Sequence, residues 1–116
     1  DDTGLAARFR PEYVAALEAL APGRFDFVDT FVGGRAPLDL HVLRDVDAVV
    51  VGGGPATVYI DALASAAPTL RDAVTGGVPY LGFSAGAMVA ASTALAGGWR
   101  PGRSGRVRRG LVRGAR

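Results

Sequence analysis

The chain has 116 residues, enough for one small domain, and 49% of them are hydrophobic, which argues against disorder over most of its length. It has no cysteine, which excludes disulfides, thiolate metal sites and a cysteine nucleophile, and no apolar run reaches the roughly 18 residues that a membrane span needs. All thirteen basic side chains are arginine: residues 1–99 hold six of them with all eleven acids, and residues 100–116 hold the other seven with no acid.

The opening Asp1-Asp2-Thr3 lacks the basic and apolar segments of a secretory leader, so a cytoplasmic location is expected. Pro11-Glu12 opens a helical pattern in which Tyr13, Val14, Leu17 and Leu20 recur at helical spacing, and Pro22-Gly23 stops it. Phe25 to Val32 partly alternates apolar and polar residues and predicts a strand ending at Gly33-Gly34. Pro37 to Asp45 predicts a short helix or turn. Asp47-Ala48-Val49-Val50-Val51 predicts a buried parallel strand covered on both faces, broken by Gly52-Gly53-Gly54-Pro55. Helices are predicted over Thr57 to Ala66 and Thr69 to Thr75, a second buried strand over Val78 to Phe83, and a further helix over Ala85 to Leu95.

This alternation predicts an α/β domain with a parallel sheet. Three strands are few for that architecture, so further strands are expected before Asp1 and after Leu95, and the domain reads as incomplete. The chain divides at residues 99 and 100: a partial α/β domain over 1–99 and an arginine- and glycine-rich tail over 100–116, which has no period and is expected to be disordered.

Two glycine-rich turns follow the two predicted buried strands. The second, Gly82-Phe83-Ser84-Ala85-Gly86, fits the glycine-x-serine-x-glycine nucleophile elbow, in which the serine sits strained and exposed between a strand and a helix. In open α/β sheets, sites form beyond the carboxyl ends of the strands, which would bring both turns to one edge. There the N–H of Ala85 and a donor from the Gly54 turn would form an oxyanion hole for acyl transfer on Ser84. The bland readings stand beside this one: such a motif arises by chance in a chain with 17 glycines, and a triple glycine is a common loop. A phosphate-binding reading of Gly52-x-Gly54-x-x-Thr57 lacks the third glycine and a ribose-binding acid. The paired acids Asp26/Asp29 and Asp45/Asp47 have no histidine or glutamate at metal-binding spacing, so no metal and no cofactor are expected. Tyr13 reads as a core residue.

Val49-Val50-Val51-Gly52-Gly53-Gly54, followed by Gly77-Val78-Pro79-Tyr80-Leu81-Gly82-Phe83-Ser84-Ala85-Gly86-Ala87, resembles the serine peptidase family of dipeptidase E and cyanophycinase. The resemblance implies a class I glutamine amidotransferase-like fold, a flavodoxin-like, three-layer α/β arrangement with a mostly parallel sheet. It implies peptide-bond hydrolysis through an acyl-serine, with a small peptide as substrate. By the same resemblance Ser84 is the nucleophile, the backbone amides of Gly54 and Ala85 are the oxyanion donors, and Gly82 and Gly86 serve the elbow. One departure is Pro55, which stands where the family usually has asparagine and brings no N–H.

The larger departure is the base. The family's serine is activated by a later histidine and a still later acid, and here no histidine, aspartate or glutamate follows Ser84. The one histidine, His41, lies upstream and does not match the family's. A serine peptidase-like domain that is inactive as it stands is therefore expected. The alternative is a non-catalytic glutamine amidotransferase-like module that binds a ligand or serves as a scaffold. The arginine tail is the only feature suited to nucleic acid. An incomplete sheet leaves an edge open to a second copy of the chain.

Overall fold

The computed structural model describes residues 4–33, 38–95 and 107–109. Helix α1 spans Leu5–Leu20 and carries Pro11 inside it rather than at its start. Ala6 and Ala7, good helix formers, extend the helix on the near side of the proline. Its end is as the sequence predicts: Ala21 N–H donates to Leu17 O, Gly23 N–H donates to a Glu18 carboxylate oxygen at 2.9 Å, and Gly23 turns with φ 67°.

The strand predicted over Phe25 to Val32 does not form. The Phe25 and Phe27 rings lie 5.9 Å apart, but among the described residues no strand pairs with this segment. The segment is instead tied to α1, where Arg10 pairs with Asp29 at 2.6 Å and lies 6.0 Å from the centre of the Phe27 ring. Alternation selects an extended conformation; a strand also needs a neighbour to take its N–H and C=O groups.

The predicted turn before the first strand is a 3-10 turn, Leu40–Leu43, capped by Asp39 accepting from His41 N–H at 2.9 Å. Strand β1 (Val49–Val51) leads through helices α2 (Ala56–Leu63) and α3 (Ala67–Thr75) to strand β2 (Tyr80–Gly82). The strands pair in parallel, with Val49 opposite Tyr80 and Val51 opposite Gly82. A parallel pair needs a crossover of this length, and the two helices supply it. Pro68 lies in the first turn of α3, where its missing N–H costs nothing.

Among the described residues the sheet is covered on one face, not on both. Helix α4 (Ala85–Ala90) packs on β1, β2 and α2, and Val89, Ala85, Leu63 and Ile60 are buried there. The neighbours Val50 and Leu81 point the other way and stay 41% and 42% exposed. Among the described residues the parallel sheet has two strands, so the architecture is mixed α/β with a small parallel sheet.

The helix predicted over Ala85 to Leu95 stops at Ala90, and Thr93–Leu95 forms β3, paired antiparallel with β4 (Val107–Arg109). β4 lies within the arginine-rich stretch for which the sequence predicted no regular structure; the rest of residues 100–116 lies outside the described residues. No helix among the described residues is long and apolar enough to cross a membrane.

Candidate active site

Both glycine turns leave the carboxyl ends of the parallel strands, and backbone hydrogen bonds join them. Phe83 N–H donates to Val51 O at 2.9 Å, continuing the β1–β2 ladder, and Gly86 N–H donates to Gly52 O at 3.2 Å and to Phe83 O at 2.8 Å. Ser84 sits between β2 and α4 with φ 50° and ψ −112°. That region is sparsely populated for a residue with a Cβ, and holding one there costs on the order of 1–3 kcal/mol. The side chain is exposed.

The elbow closes this tightly because its glycines leave room. A Cβ at Gly82 would stand 2.7 Å from the backbone of Gly86 and Ala87, and a Cβ at Gly86 would run into the Val51 carbonyl. Gly53 faces the serine: a Cβ there would lie 3.2 Å from Ser84 Cβ and 3.7 Å from Ser84 Oγ. Ala85 is buried and begins α4, a helix of only six residues, so its dipole adds less than the longer predicted helix would. No hydrogen bond within the described residues engages the N–H of Gly54 or of Ala85.

All three tyrosines of the chain hold these turns by their hydroxyls. Tyr13 on α1 accepts from Gly53 N–H at 3.0 Å, Tyr59 on α2 donates to Gly53 O at 2.8 Å, and Tyr80 on β2 donates to Gly86 O at 2.7 Å. Burial pushes the Tyr80 phenol up to about 12. Burial, and then the neighbouring Tyr13, raise the Tyr59 phenol as well. The Tyr59 and Tyr80 hydroxyls thus stay protonated at neutral pH and keep their role as donors. The Tyr13 ring also packs on Phe83, with centroids 4.8 Å apart, and so bridges α1 to the elbow.

The sequence pattern places Tyr13 in the core and gives Tyr59 and Tyr80 no role. The signal was present in the residue type, because a half-buried tyrosine, where phenylalanine would pack equally well, carries a hydroxyl that seeks a partner. The partner itself could not be read from the chain. His41 is exposed on the turn that packs against α3, and the described residues contain no cluster of histidine and acidic side chains able to hold a metal ion.

The paired glycine turns and the strained serine lie within residues 13–98, which the sequence model of peptidase family S51 matches. The chain belongs to peptidase family S51. This is the serine peptidase family of dipeptidase E and cyanophycinase. The match begins at Tyr13, the residue that reaches Gly53, and takes in both turns and all three tyrosines. No curated protein and no solved structure matches the chain.

Proposed function

We propose that this S51 domain carries the nucleophile and oxyanion half of a serine peptidase site that acts on peptide bonds. Ser84 Oγ bonds to the scissile carbonyl carbon, and the carbonyl oxygen becomes an oxyanion that accepts from Gly54 N–H and Ala85 N–H. The C–N bond then breaks, the amine leaves with a proton, and water hydrolyses the acyl-serine. Gly82 and Gly86 permit the elbow. The observation that carries this reading is the Ser84 backbone at φ 50° and ψ −112°, in a turn whose glycines admit no side chain. Strain of this kind is retained where the surrounding structure enforces it, and it clusters at active sites. The β1–β2 pair with helices on one face is compatible with part of a flavodoxin-like, class I glutamine amidotransferase-like fold.

The serine proton needs an acceptor, and the family's histidine and acid have no counterpart after Ser84 in these 116 residues. Loss of the base from a serine triad lowers the rate by several powers of ten. The 116 residues alone are accordingly expected to react slowly and stoichiometrically at Ser84 rather than to turn over peptides. The test is labelling with a serine-reactive fluorophosphonate followed by peptide mapping. Modification at Ser84, abolished in Ser84→Ala, is expected; a chain that stays unmodified at Ser84 after prolonged exposure overturns the nucleophile reading in favour of a ligand-binding module.

A further inference from the structure

The Gly53 carbonyl and the Gly54 N–H belong to one peptide group. The peptide is planar and trans, so whatever fixes the carbonyl on one side fixes the N–H on the other. Around Gly53 three of the four groups of two successive peptides are engaged. Gly52 O accepts from Gly86 N–H, Gly53 N–H donates to Tyr13, and Gly53 O accepts from Tyr59. The fourth, Gly54 N–H, meets no acceptor among the described residues.

We propose that Tyr59 is the positioning residue of the oxyanion hole: its hydroxyl, held on Gly53 O, sets the plane of the Gly53–Gly54 peptide and aims Gly54 N–H at the oxygen of the substrate. This rests on the reading of Ser84 as nucleophile. Two further observations support it. The Tyr59 side chain is buried at 8% exposure on α2, so the hydroxyl is delivered by a packed ring and not by a mobile one. A Cβ on Gly54 would stand 2.5 Å from Tyr59 Cε2, so glycine at this position is what lets the ring approach the turn. A donor on the carbonyl also polarises the peptide and strengthens its N–H as a donor. Tyr13 complements this by occupying Gly53 N–H, which leaves Gly54 N–H as the open amide of the pair.

The experiment measures the rate of Ser84 phosphonylation by a fluorophosphonate in the 116-residue chain and in Tyr59→Phe. In parallel, a carbon-detected spectrum follows the Gly53 carbonyl and Gly54 nitrogen resonances. Tyr59→Phe keeps the packed ring and removes only the hydroxyl. It should slow labelling about ten- to a hundredfold, the range for a misaligned or lost oxyanion donor, and shift both resonances of that peptide. Gly54→Ala, which displaces the ring but keeps the N–H, should slow labelling comparably, and the double variant should be no slower than either single one. If Tyr59→Phe does not fold, the wild-type chain still decides the contact: exchanging the phenol proton for deuterium should shift the Gly53 carbonyl resonance. Labelling of wild type and Tyr59→Phe at the same rate, or an unmoved carbonyl, overturns the role of Tyr59 and leaves the nucleophile reading standing. Absence of label on wild-type Ser84 overturns both.

Discussion

The two glycine turns at the end of the parallel sheet are held by different forces. The elbow Gly82–Gly86 is set by exclusion: backbone lies where side chains of residues 82 and 86 would be, and Ser84 is forced into a left-handed conformation. The turn Gly52–Gly54 meets no backbone in this way, only the Tyr13 and Tyr59 rings at Gly52 and Gly54, and it is held by polar attachment, with the two tyrosine hydroxyls on Gly53 and the Gly86 amide on Gly52. A turn fixed by close packing tolerates no substitution at its glycines and cannot be adjusted by one contact. A turn fixed by hydrogen bonds is adjustable through each of them, since one such bond contributes only about 1 kcal/mol.

The largest expected effect tests the steric half. Gly86→Val places branched carbon against the Val51 carbonyl and should cost more than about 4 kcal/mol, leaving no cooperative unfolding transition by circular dichroism. A variant that melts like the wild type would show that the elbow opens easily and that packing does not set it. Next is Tyr80→Phe, which removes the one tyrosine hydroxyl bonded to the elbow. It removes the Tyr80 donor from Gly86 O and should cost about 1–2 kcal/mol in chemical denaturation. A loss as large as that of Gly86→Val would mean that the elbow, too, is held mainly by a polar contact.

Tyr80 also predicts a pH dependence. Its folded-state value of about 12 exceeds the unfolded value of 10.0, so below pH 10 both states hold the phenol proton and its contribution is constant. As pH rises from 10 toward 12 the unfolded chain ionises first, and stability falls. Tyr80→Phe should flatten that alkaline decline, measured by denaturation at a series of pH values. A smaller effect, of opposite sign, comes from Ser84→Gly. Removing the Cβ from a residue at φ 50° should relieve strain and stabilise the chain by about 1 kcal/mol, net of the entropy that glycine adds to the unfolded state. A destabilised variant would remove strain from the account of the elbow. The smallest effect lies far from both turns: Asp29→Ala breaks an exposed pair with Arg10 and should change stability by less than about 0.5 kcal/mol by the same measurement.

Much of this site is legible in the chain because its parts are local. The elbow needs glycine two residues before and two after its serine, a strand ahead and a helix behind, and residues 78–90 state all of that in order. Val49–Val51 running into three glycines is equally explicit. The errors fall where a neighbour decides. Among the described residues, Phe25 to Val32 has the alternation of a strand but no strand beside it, and Val50 has the apolar flanks of a buried position but stays 41% exposed. After Ala90 the chain turns from helix to the strand Thr93–Leu95, whose partner is Val107–Arg109, more than ten residues on.

Sequence alone determined the family, the order of the central helices and strands, and the serine at the elbow, because these follow from short-range periodicity and from motifs whose residues are adjacent. Tertiary structure alone decided what the tyrosines do. Tyr13 lies forty residues before Gly53, and no local pattern connects a tyrosine on α1 to an amide beyond β1. Only the packing of α1, α2 and β2 around the two turns brings the three hydroxyls onto backbone groups, and that convergence depends on the direction each side chain takes from its own helix or strand.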